Sequence, residues 1–155
     1  MSTERWEWLE QIERVGPEGL MGWASFPPDR FASGDHFPGT PLVPGVLLLE
    51  AMAQAAGWWV AWGESWTGKA VLARVDEAVF RRPVIPGEPV QVFAKGLAAD
   101  GARRSARCRV EGANGTLASA WIGLRFFRFD EPGGPWRPPL GPAWMKARWE
   151  ALRVG

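Results

Sequence analysis

The sequence has one cysteine, one histidine and no tyrosine, and its formal net charge is only +1. Because Cys108 stands alone, no intrachain disulfide can form, and a reducing, cytoplasmic location is the simplest expectation. A nearly neutral chain has no strong overall field that attracts nucleic acid, so we expect no nucleic-acid partner. The N-terminus has no basic segment followed by an apolar one, so we expect no signal peptide.

Long uninterrupted hydrophobic runs are also missing. The longest apolar stretch, residues 41–62, is broken by Glu50, Gln54 and Gly57. This interruption favours a buried helix over a membrane span, so we expect no membrane partner. With 155 residues, of which 46% are hydrophobic and 23% charged, the chain fits a single globular domain.

The order of the predicted elements indicates an α+β fold. Apolar segments on both sides of the turn at Gly16–Gly19 predict a hairpin. Val46–Trp62 predicts one long helix that is apolar nearly all round and therefore buried, with Pro44 and Gly45 at its start. One buried helix against a single antiparallel sheet is an α+β arrangement. The strands predicted after the helix, from a period near two, are Ala70–Phe80, Pro89–Leu97, Arg103–Glu111 and Thr116–Phe129.

The C-terminal segment departs from this pattern. Residues 131–142 are rich in Pro and Gly and predict a linker, and Ala143–Arg153 predicts a short terminal helix. We therefore expect a domain over residues 1–130, followed by a linker and a helical tail over residues 131–155.

Candidate catalytic groups surround the start of the predicted long helix. His36 lies on the loop that leads into this helix, and near neutral pH an imidazole can act as a base. A helix N-terminus presents unpaired N–H groups, and Gly45 has no side chain to block a carbonyl oxygen that gains negative charge there. Glu50 lies inside the apolar helix, where burial would favour the neutral acid, a proton donor for a leaving hydroxyl. Gln54, one turn further on the same face, is close enough to orient Glu50 by a hydrogen bond.

These residue types fit two reactions. A base, an N–H donor and an acid suit the removal of a proton beside a carbonyl with loss of a β-hydroxyl, and equally the hydrolysis of a thioester by activated water. Structural roles are the alternative: a surface histidine, a paired carboxylate and a glycine that only starts the helix. The residues alone leave this choice open.

Three segments resemble those of a known family. The segment "HFPGTPLVPGVLLLEAMAQAAG" (residues 36–57) closely resembles the signature of the (3R)-hydroxyacyl-acyl carrier protein dehydratases of dissociated fatty acid synthesis. The segment "VFRRPVIPGEPVQV" (residues 79–92) resembles the Phe-x-x-Pro-Val-x-Pro-Gly-Asp motif of that family. The segment "EQIERVGPEGLMG" (residues 10–22) is similar to its first strand and turn.

The resemblance implies a hot-dog fold, in which an antiparallel sheet wraps one long central helix, and a homodimer or a trimer of dimers. The site would form between two subunits. His36 of one subunit would take the α-proton, Glu50 of the other would serve the departing β-hydroxyl, and Gly45 would supply a backbone N–H to the thioester oxygen. The substrate would be an acyl carrier protein or coenzyme A thioester, and no metal or organic cofactor is implied.

The chain also departs from the family pattern. The family usually has Gly before the histidine, where this chain has Asp35, and the upstream phenylalanine is displaced to Phe31. Residues from 131 onward match no part of the family that we can place. A hot-dog acyl thioesterase and a non-catalytic acyl-thioester-binding subunit therefore remain as alternative functions.

Two arginine clusters could dock an acidic carrier protein, since opposite charge raises association rates. Arg81 and Arg82 precede the proline of the second motif. The other cluster alternates along one strand, which is also the pattern of the solvated face of a sheet. Its members are Arg103, Arg107 and Arg109.

Overall fold

The computed structural model describes residues 7–31 and 36–153. The predicted hairpin is confirmed: β1 (Leu9–Gly16) and β2 (Gly19–Ala24) pair in antiparallel fashion across a two-residue turn. A 3-10 helix at Pro28–Phe31 follows, and the long helix α1 spans Gly45–Gly63. The remaining elements are β3 (Gly68–Phe80), β4 (Val90–Asp100), β5 (Arg103–Gly112), β6 (Gly115–Arg128) and α2 (Pro142–Leu152).

The six strands form one antiparallel sheet in the order β1-β2-β4-β5-β6-β3. Helix α1 contacts all six strands, so the predicted α+β arrangement is confirmed. Close approach is possible because the sheet-facing side of α1 is thin: Ala51, Ala55 and Ala56 are fully buried. Strand β3 pairs with β6 and not with its neighbours in sequence, which places β3 at one edge of the sheet and β1 at the other.

The observed strand boundaries differ from the predicted ones mainly in β4. This strand continues to Asp100 rather than ending at Leu97, because Asp100 pairs with Arg103 across a tight turn. Gly101 in that turn has a φ of 58°, a left-handed conformation that glycine adopts without steric cost.

The tail packs onto the same core as the sheet. Helix α2 lies where the sequence predicts a terminal helix and begins at Pro142, a favoured first helical residue. Its Met145, Trp149 and Leu152 are buried, and Arg153 forms a bridge with Ile12 of β1. A domain boundary at residue 130 stays a prediction. Within residues 7–31 and 36–153, no helix has both the length and the apolar character needed to cross a membrane.

Candidate active site

The loop that carries His36 is fixed to the second motif. The carbonyl oxygen of His36 accepts a hydrogen bond of 2.8 Å from the N–H of Leu42, which closes the loop on itself. The N–H of Val43 donates to the carbonyl oxygen of Val84, also at 2.8 Å. These bonds place both motifs side by side at the start of α1. Asp35, which replaces the usual glycine, lies outside the described residues.

His36 and Gly45 line the same cavity, of about 250 Å³. Gly45 is the first residue of α1, and its N–H has no hydrogen-bond partner among the residues that the structure describes. A Cβ atom at this position would lie 3.2 Å from the ring of Phe80, so the ring would have to move to admit any side chain. The exposed Arg81 and Arg82 also line this cavity. The structure thus brings together the predicted base and the predicted N–H donor.

Glu50 lies on another side of α1. It is half-buried and, with Gln54, lines a groove of about 1440 Å³. Gln54 Nε2 donates a hydrogen bond of 3.0 Å to Glu50 Oε1, as the spacing of the two residues suggests. Gln54 Oε1 in turn accepts hydrogen bonds from the N–H groups of Trp8, at 2.9 Å, and Leu9, at 3.3 Å. The start of β1 therefore holds Gln54, and Gln54 holds Glu50.

Lys69 is a groove residue that our sequence analysis did not single out. It is half-buried at the start of β3, and desolvation lowers the pKa of its ammonium, while the charges of Glu7 and Glu50 act in the opposite direction. A signal was present, since Lys69 is the one charged residue in the run Gly68–Leu72. Much of the opposite wall of the groove comes from the tail, through Trp136, Pro139, Leu140, Trp144 and Met145.

A single chain does not place His36 and Glu50 in a common cavity. Gly45 and Glu50 are five residues apart, which corresponds to about 140° around an α-helix. Of the cavity and the groove, neither is lined by both His36 and Glu50. The meeting of these two residues across subunits stays a prediction.

Cys108 contributes no nucleophile to either space. It is buried beneath α1, with Sγ 3.8 Å from the carbonyl oxygen of Met52. Burial raises the pKa of the Cys108 thiol to about 12, so the thiolate does not form near neutral pH.

Comparison with solved structures defines the class of fold. The dehydratase heterocomplex ApeI:P from Xenorhabdus doucetiae superposes with a TM-score of 0.66 at 18% identity, covering 81% of this chain and 86% of that one. A thioesterase from Haemophilus influenzae superposes with a TM-score of 0.63 at 12% identity, covering 79% and 81%. The chain has the hot-dog fold. Likeness at these identities shows the fold alone, and the two neighbours carry different activities.

The family follows from the sequence comparisons. The model of the FabA-like domain matches residues 13–113, and the chain belongs to this family. It is 38% identical over 97 residues to the 3-hydroxyacyl-[acyl-carrier-protein] dehydratase FabZ of Rhizobium etli, covering 62% of this chain and 63% of the relative. The FabZ of Bartonella quintana is 40% identical over 89 residues, covering 56% and 57%. The match therefore spans less than two thirds of the length of these relatives.

Proposed function

We propose that the chain catalyses the removal of water from (3R)-hydroxyacyl thioesters, giving trans-2-enoyl thioesters in fatty acid synthesis or a related lipid or polyketide pathway. The observation that carries this proposal is a cavity lined by both His36 and Gly45, whose N–H has no hydrogen-bond partner among the described residues, in a chain of the FabA-like domain family. Similarity to relatives named as dehydratases of acyl carrier protein substrates supports the same reaction.

In the proposed reaction, the imidazole of His36 takes the proton from the α-carbon. The thioester oxygen gains negative charge, and the N–H of Gly45 donates a hydrogen bond to it. Glu50 gives its proton to the β-hydroxyl, the carbon–oxygen bond breaks, and a double bond forms as water leaves. One proton enters the enzyme at His36 and one leaves from Glu50, so the total number of bound protons is unchanged.

This chemistry requires a homodimer, and the edge strand β3 supports one. Residues 71–78 of β3 are exposed without a break, and the strand displays Val71, Leu72, Val75 and Phe80 to solvent at 37–47% exposure. A long apolar edge strand is normally paired or covered, because its unpaired N–H and C=O groups invite another chain. We propose that β3 pairs with β3 of a second copy, so that Glu50 of one subunit reaches the His36 cavity of the other. A trimer of such dimers is a further form compatible with this interface.

The substrate carrier belongs to the proposal as well. Of the two arginine clusters, Arg81 and Arg82 border the His36 cavity, whereas Arg107 and Arg109 lie over the rings of Trp121 and Phe93 on the outer face of the sheet. We therefore assign docking of an acidic acyl carrier protein to Arg81 and Arg82. A cytoplasmic location fits a chain whose single thiol is buried.

The test is a complementation experiment with two inactive variants. His36→Ala and Glu50→Gln should each reduce conversion of a 3-hydroxyacyl thioester, followed by enoyl absorbance, by about 10²- to 10⁴-fold. Mixed after partial unfolding and reassembly, the two variants form heterodimers in which one of the two sites has both residues. Activity should then return to about a quarter of the wild-type value, as expected for random pairing in a twofold dimer.

Each outcome is informative. If the mixture stays inactive although heterodimers form, the two residues do not meet across subunits. Full activity of either variant alone removes that residue from the mechanism. Release of free thiol from an acyl thioester without a hydroxyl group, together with no enoyl product, identifies a thioesterase instead.

A further inference from the structure

The groove that holds Glu50 runs along one side of α1. The residues of this helix that line the groove recur at the spacing of a single helix face, and they are Val46, Leu47, Glu50, Ala53, Gln54, Gly57 and Trp58. Glu50 and Trp58 are eight residues apart, which corresponds to about 12 Å along an α-helix. The groove therefore leads from the proposed proton donor towards the C-terminal half of α1.

The acyl chain of the substrate is the occupant that fits this part of the groove. Glu50 is the proposed proton donor to the hydroxyl on the third carbon, so the carbons beyond it must continue from Glu50. The lining there is mainly apolar, which suits a hydrocarbon chain. Strand β3 contributes Ala70, Val71 and Leu72, and the tail supplies the wall already described.

Two adjacent residues of α1 determine how far the groove is open. A Cβ atom added at Gly57 would have one described neighbour within 4 Å, the carbonyl oxygen of Ala70 at 3.8 Å, so the space beside Gly57 is open. Trp58 is the last residue of α1 that lines the groove, and it is only 8% exposed. Its ring packs against the rings of Trp66 and Trp149, with centroids 6.5 and 6.1 Å away. Because two other rings hold Trp58 in place, we expect the groove to end there.

We propose that Gly57 and Trp58 set the length of the acyl chain that the groove accepts: the chain runs from Glu50 past Gly57 and ends at Trp58. In an extended hydrocarbon, bonds of about 1.5 Å zigzag and each carbon advances the chain by about 1.3 Å, so the distance from Glu50 to Trp58 holds about nine carbons. With the three carbons up to the hydroxyl, the longest chain that fits has about 12 carbons.

This inference rests on the proposed function, because it describes the acyl part of the same thioester substrate. In the proposed dimer, the second subunit would cover the open side of the groove. Such a cover turns the groove into a channel, and the length that Glu50 and Trp58 define along α1 stays the same.

The experiment measures kcat/KM on a series of straight-chain 3-hydroxyacyl thioesters that differ by two carbons. For the wild-type chain, kcat/KM should rise with length up to about 12 carbons, because each added carbon is buried, and should stop rising beyond that length.

Gly57→Leu should shorten the accepted chain. A side chain on a helix leans towards the N-terminus, so leucine would cover one turn of the groove, about 5.4 Å, which corresponds to about four carbons. On the longest substrate that the wild type prefers, kcat/KM should fall at least about tenfold, and substrates too short to reach this turn should keep their kcat/KM. Leucine favours a helix interior more than glycine does, so the variant should fold. Gly63→Leu is the matched control, at an exposed glycine of α1 that does not line the groove and whose added Cβ meets no described atom within 4 Å.

Trp58→Phe should lengthen the accepted chain. It keeps a ring next to Trp66 and Trp149 and removes the rest of the indole, so the length limit should move up by about two carbons.

Three results would overturn the inference. A length profile of Gly57→Leu equal to that of the wild type would show that the acyl chain does not pass Gly57. Equal losses on substrates of every length, with circular dichroism like that of the wild type, would show that residue 57 acts on Glu50 and not on the acyl chain. A wild-type kcat/KM that keeps rising with length would show that Trp58 does not end the groove. Absence of any dehydration refutes the proposed function and this inference with it, whereas dehydration with a length profile insensitive to both substitutions refutes the inference alone.

Discussion

Two spaces flank the first turns of α1, and they are built in different ways. The cavity that holds His36 is formed by two short segments, residues 36–48 and 80–84, both of which belong to recognisable motifs. The groove that holds Glu50 draws its walls from the start of β1, the 3-10 helix, α1, β3 and the tail. The cavity is thus made of residues close in sequence, and the groove is made of contacts between distant parts of the chain.

We expect this difference to separate the residues that carry out the proposed reaction from the residues that select its substrate. The small cavity is lined by His36 and Gly45, which are the base and the N–H donor of the proposed reaction and which both lie in the motif that resembles the family signature. The groove carries features particular to this chain, namely the aromatic tail wall and the half-buried Lys69. Substitutions at the cavity, and at Glu50 and Gln54 in the groove, should therefore change the rate on every substrate, whereas substitutions in the rest of the groove should change which substrate is preferred.

The largest loss of kcat is expected from a substitution that prevents the proposed dimer, in which the His36 cavity of one subunit meets Glu50 of the other. Val75 is 40% exposed at the edge of the sheet, and Val75→Lys places a charge where β3 is proposed to pair with its copy. His36 and Glu50 of one chain line different spaces, so a monomer has no site that contains both residues. Its kcat should therefore be about 10²- to 10⁴-fold lower than that of the dimer. Light scattering should show the mass of one 17.1 kDa chain.

The matched control is Asn114→Lys, which adds the same charge at an exposed residue within the β5–β6 turn. It should leave mass and activity unchanged. A monomeric Val75→Lys variant with full activity would mean that one chain holds a complete site, and a dimeric one would move the interface to another surface.

The second-largest decrease in kcat is expected from removal of the N–H of Gly45. Gly45→Pro removes this donor at the first helical position, where proline is well tolerated, and Pro44 already has the extended ψ of 135° that a following proline requires. Gly45→Ala is the matched control, because it brings the same Cβ towards Phe80 and keeps the N–H. The proline variant should have a kcat about 10²- to 10³-fold below that of the alanine variant. Equal kcat values would exclude this N–H as the donor to the thioester oxygen.

A smaller effect is expected at Gln54, which joins the groove to β1. Gln54→Leu leaves the N–H groups of Trp8 and Leu9 without their acceptor and should lower the free energy of unfolding by about 1–3 kcal/mol. It should also reduce kcat about tenfold, because Glu50 loses the group that orients it. Urea denaturation and enoyl absorbance measure the two effects.

Gln54→Glu separates the two roles of this side chain. Its carboxylate can still accept from both N–H groups, but it has no N–H to give Glu50, so stability should fall less than in the leucine variant while kcat falls at least as much. If activity instead follows stability in both variants, Gln54 supports the fold only.

The sequence predicted the cavity better than the groove for a physical reason. His36, Gly45 and Glu50 stand within 15 residues, and the i to i+4 spacing of Glu50 and Gln54 translates directly into a contact on a helix. Contacts of the groove join residues far apart in sequence: Trp8 meets Gln54 across 46 positions, and Glu7 meets Arg148 across 141. Periodicity shows which face of a strand is buried but not which strand is its neighbour. The sequence therefore could not predict that β3 lies at the edge of the sheet.

The smallest effect, a change in KM, is expected from a substitution in the C-terminal tail (residues 131–155), which forms one wall of the groove. Trp144 lines the groove and packs beside Lys69, so Trp144→Ala removes apolar contact surface for the acyl chain without touching the His36 cavity. KM for long-chain substrates should rise about three- to tenfold with kcat nearly unchanged, because the lost contact is the same in the ground state and the transition state. Short-chain substrates that do not reach the tail should keep their KM.

Trp121→Ala, at 44% exposure on the outer face of the sheet, is the control and should change neither constant. A fall in kcat on substrates of every length would mean that the tail supports the catalytic residues, and the separation between a reacting cavity and a selecting groove would then be wrong.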